Sequence, residues 1–174
     1  MMKRITILLI AILLTACAAK GPAYQAAKAP ENGNALVYIY RINTAAFGAR
    51  DAYFYVDNKN IADLSVEGYT WFHVPAGEHK FEQKWPVDTL AGNPVRAKLQ
   101  QIFTRKANEE NANRMTLSEG YVNWEAGKTY YYRLATALPS VYPTLTMQWL
   151  LQEVTPEQAL PELKKSKLQN SFIK

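Results

Sequence analysis

The sequence predicts a mainly β protein, an antiparallel β-sandwich closed by a short C-terminal helix. Three observations carry that expectation. About seven short segments are rich in β-branched and aromatic residues, which fit a half-buried pleated surface. Clusters of Asp, Asn, Pro and Gly separate most of them at the short intervals of an all-β sandwich. Aromatic residues make up 12% of the chain, eleven of them tyrosines, and no fixed-period repeat is visible. A length of 174 residues, 48% hydrophobic and 20% charged, suits one packed domain rather than a disordered chain.

The first strand, Leu36 to Ile42, is apolar at nearly every position, so it is placed centrally, where both faces are covered. Tyr53 to Val56 and Ile61 to Leu64 flank Asp57-Asn58-Lys59-Asn60, a tight turn whose Asp and Asn tolerate left-handed backbone angles. Tyr69 to Val74 and His79 to Trp85 flank Pro75-Ala76-Gly77-Glu78, read as a second hairpin. Within Val87 to Met115, Leu99, Ile102, Phe103 and Ala107 recur at helical spacing before the polar run Asn108 to Arg114. That stretch is a helical insertion or an irregular excursion.

Strands resume at Tyr121 to Trp124 and Thr129 to Thr136, around Glu125-Ala126-Gly127-Lys128, and a last one runs from about Leu145 to Val154. Thr155-Pro156-Glu157-Gln158 is a helix start, with Thr as N-cap, Pro at the first helical position and Gln three residues after the cap. Pro161 is expected to interrupt this helix, with a restart through Glu162 to Leu168. The sandwich thus occupies residues 35–168, with a C-terminal tail at 169–174.

Ahead of the sandwich, Lys3 and Arg4 precede an apolar run from Ile5 to Leu14, broken only by Thr6. The run is shorter than the roughly 20 apolar residues of a membrane span and suits a secretory signal peptide. Leu14-Thr15-Ala16-Cys17 follows and resembles the lipobox of bacterial lipoproteins, in which an aliphatic and two small residues precede the modified cysteine. The resemblance implies removal of residues 1–16 by cleavage between Ala16 and Cys17, a diacylglyceryl thioether on Cys17, and acylation of the new amine. Several chains matter physically: each buried methylene contributes about 0.8 kcal/mol, and a single fatty chain anchors only marginally.

Cys17 is the sole cysteine, which rules out an internal disulfide and any paired-cysteine metal or redox motif. A buried structural cysteine or an ordinary cleaved signal would leave the lipobox unexplained. Aspartate after the cysteine often retains Gram-negative lipoproteins in the inner membrane. By the same resemblance, Ala18 favours the outer membrane, facing the periplasm. Residues 17–34 then form the lipidated cysteine and a flexible tether. From Ala18 to Asn34 the chain lacks apolar periodicity and contains Gly21, Pro22, Pro30 and Gly33. As a random coil it would span on the order of 20–25 Å.

Within the sandwich region several pieces recur in a family pattern. They are Val37-Tyr38-Ile39-Tyr40-Arg41, Tyr55-Val56-Asp57-Asn58-Lys59 with Ile61-Ala62, Val74-Pro75-Ala76-Gly77-Glu78-His79, and Ala126-Gly127-Lys128-Thr129-Tyr130-Tyr131-Tyr132-Arg133. With the acidic helix near Glu157, the stretch Ala35 to Lys165 resembles small bacterial lipoproteins built around a domain of unknown function. These are similar to PEGA-like, immunoglobulin-like and transthyretin-like sandwiches. Asn58 stands where that pattern has glycine, and Trp85 to Ser118 is longer than the pattern. The resemblance implies an envelope location and a sandwich fold, and it implies no particular activity.

The candidate chemistry is sparse. His73 and His79, the only histidines, could face each other across a hairpin as two metal ligands with Glu78 or Glu82 near, or be ordinary strand residues. The balance favours the second, because a third ligand is not evident. No nucleophile elbow, zincin motif or phosphate-cradling glycine loop is present. Glu109-Glu110 and Glu157 read as solvated acids rather than a glycosidase pair. Arg41 and Arg133 lie within apolar strands and need partners, with Asp57, Asp63 and Glu125 as candidates. Tyr131 must point opposite to Tyr130 and Tyr132, which leaves one aromatic face in the core and one exposed for a glycan or protein.

The formal charge of +5 falls to +3 once Lys3 and Arg4 are removed, 18 basic against 15 acidic residues. No compact basic block accompanies it, which argues against nucleic acid. The expectation is therefore a non-enzymatic envelope lipoprotein with no catalytic residue, no metal and no cofactor. Its partners are the membrane, through Cys17, and an envelope protein or glycan. The alternative is a glycan- or small-ligand-binding protein using an aromatic face.

Overall fold

Strand β1 (Asn34–Arg41) is buried along almost its whole length, as its unbroken apolar sequence requires. In this computed structural model, which describes residues 19–31, 33–43, 51–86, 114–137 and 148–173, it is the middle strand of a five-stranded sheet. The signal segment, Cys17, Ala18, the candidate insertion at 87–113 and the start of the last expected strand lie outside the described residues.

The other elements are β2 (Ala52–Val56), β3 (Lys59–Leu64), β4 (Gly68–Pro75), β5 (Gly77–Pro86), β6 (Arg114–Trp124), β7 (Thr129–Ala137), β8 (Gln148–Glu153), α1 (Pro156–Leu163) and β9 (Lys167–Leu168). One sheet has the order β8-β7-β1-β4-β9, and the other β3-β2-β5-β6. The expected sandwich is present, with one correction: the five-stranded sheet is mixed rather than antiparallel. β1 runs antiparallel to β4 but parallel to β7, and β9 runs parallel to β4.

The core between the sheets follows from the two-residue alternation of strands. Ala35, Val37 and Ile39 of β1 meet Phe54, Val56, Phe72, Phe81 and Leu134. Trp124 is fully buried within it, edge-on to Phe72, Phe81 and Tyr132, and its indole N–H donates to the Tyr132 hydroxyl at 2.9 Å. Arg41 points inward too. Its guanidinium stacks 5.0 Å above Trp85 and donates to the Leu64 carbonyl at 3.3 Å. Burial pushes this guanidinium down to about 10, against the pull of Asp51.

Two turns read alike in the sequence behave differently. Asp57 and Asn58 form the two-residue β2–β3 turn, with φ of 48° and 65°, and Val56 pairs directly with Lys59. Two left-handed residues match the twist of the flanking strands, as in a type I′ hairpin. Pro75-Ala76-Gly77 closes no hairpin, contrary to expectation. β4 and β5 belong to different sheets, so these residues form a corner at which the chain changes layer. Proline and glycine set a local bend and do not encode which strand pairs next.

The helix also departs from expectation. α1 is continuous from Pro156 to Leu163 with Pro161 inside it, and it does not restart. Thr155 occupies the cap position without a side-chain cap hydrogen bond. Lys167 and Leu168 form a strand, since they pair with Gly68 and Tyr69. The tail beyond them is fastened: Gln169 N–H donates to Tyr69 O and Phe172 N–H to Ile61 O, each at 2.8 Å.

Because Asn58 holds φ of 65°, which costs an L-residue about 1 kcal/mol and glycine almost nothing, Asn58→Gly is expected to leave stability unchanged or raise it by up to ~1 kcal/mol. Asn58→Val should lower it by at least as much, both read from urea unfolding midpoints.

Candidate functional site

The outer face of the five-stranded sheet is a layer of tyrosines. Alternation in β1 sends Leu36, Tyr38 and Tyr40 to this face, where they join Tyr69 of β4 and Tyr131 of β7. Tyr38 and Tyr131 stack with ring centres 5.1 Å apart. The alternation around Tyr131 predicts one aromatic face in the core and one exposed, but this outer face is covered: Tyr38, Tyr40, Tyr69 and Tyr131 are all buried.

Two segments cover it. Residues 19–31 carry no regular secondary structure, as a linker composition suggests, yet they do not hang free. Tyr24 packs its ring 5.5 Å from Tyr69 and 6.2 Å from Tyr38. The Gln25 amide donates to the Tyr69 hydroxyl at 3.1 Å and the Ala27 amide to the Tyr38 hydroxyl at 2.7 Å. Ala23 bridges Lys167, and Leu168 N–H donates to Pro22 O at 2.9 Å. A Cβ on Gly21 would lie 2.0 Å from the Leu168 carbonyl oxygen, so the close approach requires glycine. At its near end the segment starts with Ala19 N–H donating to Val66 O at 2.9 Å.

Helix α1 covers the rest with Ala159 and Leu163. Its Glu162 takes a hydrogen bond from the Tyr40 hydroxyl at 2.5 Å and an ion pair from Arg133 at 3.1 Å. Burial, reinforced by Glu162, pushes the Tyr40 phenol well above its ordinary value. Arg133 thus finds partners other than those expected. Arg133 pairs with Glu162 and Gln152, and Arg41 sits beside Asp51.

The histidines do not meet. His73 lies on the outer face and bonds the Lys28 carbonyl at 3.1 Å. His79 stacks on Trp124 at 5.1 Å and bonds Asp57 through Nδ1 at 2.7 Å and the Pro75 carbonyl through Nε2 at 2.8 Å. Together these contacts tie the corner to the β2–β3 turn. The Asp57 carboxyl is held below its ordinary value: slight burial pulls it up, and the His79 bond with the Lys80 amide outweighs that.

Among the described residues, no group of three or more His, Cys, Asp or Glu is arranged to hold a metal ion. Glu157 lies exposed on the first turn of α1, and Glu109-Glu110 and the lipobox fall outside the described residues. An open cleft of about 670 Å³ lies between the start of β7 and the β8–α1 junction, lined by Glu125, Lys128, Tyr130, Glu153 and Gln158. It lies at the rim carrying the Asp57, Pro75 and Gly127 turns, opposite the rim where Ala19 meets Val66.

These features define a two-layer β-sandwich whose outer sheet face is sealed by stretches from both ends of its own chain. A family model described as a protein of unknown function (DUF2846) matches residues 31–144, and the chain belongs to that family. The match takes in β1 to β7 and stops short of the expected Lys165, leaving β8, α1 and β9 outside it. No curated protein and no solved structure matches the chain.

Tyr40→Phe removes a buried hydrogen bond to a carboxylate and is expected to cost about 1–3 kcal/mol in chemical denaturation. Asp57 has a depressed folded-state pKa, so its contribution is present above the unfolded value near 4 and is lost as pH falls through the folded one. The stability gap between wild type and Asp57→Asn should therefore be open at pH 6 and close progressively below about pH 4.

Proposed function

We propose that the chain is a lipid-anchored protein of the bacterial cell envelope, a non-enzymatic interaction module held to the membrane through Cys17. The supporting observation is Leu14-Thr15-Ala16-Cys17, placed after a basic flank and an apolar run of signal-peptide length in a chain with no other cysteine. The finer family reading goes with it: the DUF2846 domain here belongs to small lipoproteins with a VYxYR, YVDxK, VPxGxH and AGKTYYxR pattern, similar to PEGA-like sandwiches. Ala18 favours the outer membrane.

The polar side chains described above support the non-enzymatic part. His79, Asp57, Arg133 and Glu162 are each engaged in tying one element to another, and none is aimed into the 670 Å³ cleft. That cleft is the surface offered to another envelope component. A glycan-binding variant of this reading rests on Tyr130 in the cleft, since the tyrosine face first considered for it is covered.

Intact mass and fractionation of the full chain made in a bacterial host, beside Cys17→Ser, test the anchor. Wild type should lack residues 1–16, carry acyl mass and require detergent, while Cys17→Ser stays unprocessed. A freely soluble wild type with an unmodified thiol would overturn the anchor.

A further inference from the structure

The path of the first described residues fixes how such an anchor would orient the domain. Cys17 precedes Ala19 by two residues, and two residues of chain reach at most roughly 7 Å, so a lipid on Cys17 would hold Ala19 close to the headgroups. Ala19 is itself buried and hydrogen-bonded to Val66 in the β3–β4 connection. The 20–25 Å of slack expected of a random-coil tether is therefore taken up along the sheet, running toward the opposite rim.

We propose that the rim formed by Ala19, Val66, Glu67 and Lys167 lies directly on the lipid headgroups, giving the domain one fixed orientation on the membrane. This rests on the lipid anchor at Cys17. Charge supports the same face. Lys20, Lys164, Lys165 and Lys167 are all exposed where the chain enters the domain and where α1 turns into β9. Three acids lie nearby and keep their charge, Asp51 accepting from Ser65 at 2.6 Å, Asp63 from Asn60 at 2.9 Å and Glu67 from Asn43 at 3.3 Å, so the four lysines leave this rim a small positive excess. The opposite rim carries exposed Asp57, Glu78, Glu125 and Glu153, with Lys59 and Lys128. An anionic headgroup layer attracts the first rim and repels the second. The cleft beside Glu125 and Tyr130 consequently opens away from the membrane, toward a partner.

The test uses the full lipidated protein reconstituted in phosphatidylethanolamine–phosphatidylglycerol vesicles. Acylation blocks the Cys17 sulfur, so a single introduced thiol takes a fluorophore in Lys20→Cys, Lys167→Cys, Glu78→Cys or Glu125→Cys. Headgroup-level spin-labelled lipid should quench positions 20 and 167 about threefold or more above positions 78 and 125, since an eight-residue strand separates the rims by ~25 Å. Equal quenching at all four positions, in protein that floats with the vesicles and carries acyl mass, overturns the docked orientation and leaves the anchor standing. Protein without acyl mass that fails to float overturns the anchor and the orientation with it.

Discussion

Strand β1 has no face for solvent, and the rest of the molecule is arranged around that constraint. A strand apolar on both sides needs a layer above and a layer below. The second sheet supplies one layer, through Phe54, Phe81 and Trp124. The other is supplied by residues 19–31 and α1. Burying each large side chain contributes about 1.5–3 kcal/mol, but a buried tyrosine also brings a hydroxyl that must find a partner. Those hydroxyls select what lies over them. Tyr38 takes the Ala27 amide, Tyr69 the Gln25 amide, and Tyr40 gives its proton to Glu162. The covering is thereby specific rather than merely greasy.

The charged groups follow the same economy of contacts. Arg133 and Glu162 hold the helix to β7, and His79 and Asp57 hold the layer-changing corner to the neighbouring turn. Outside the second sheet, Lys80 and Lys84 flank the buried Glu82 at 3.1 and 3.5 Å. Each is a local clamp, set apart from the others.

Much of this fold was legible in the residues. The apolar run of β1, the β2–β3 turn and the strands either side of Gly127 follow from alternation and turn chemistry, which act over a few residues. What was hidden depends on distant partners. The Pro75–Gly77 corner uses the same residue types as a hairpin, and only the pairing of β5 with β2 and β6 distinguishes them. Residues 19–31 bind through backbone amides and the single ring of Tyr24, which leave no periodic trace. Tyr131 was correctly placed opposite its neighbours, yet its burial depends on chain segments about a hundred residues away in the sequence. Asp57, Asp63 and Glu125 are the acids that local sequence offers to Arg133, whereas Glu162 is delivered by a helix.

The pairing of Ala23 with Lys167 carries a consequence for the order of folding. A segment synthesised early meets a strand made about 140 residues later, so the outer face stays open while most of the domain is synthesised. Contacts of such long sequence separation form slowly. During that interval the tyrosines of β1 and β4 are uncovered and the edge of β4 is unpaired, the state in which a chain of this kind most needs protection from aggregation.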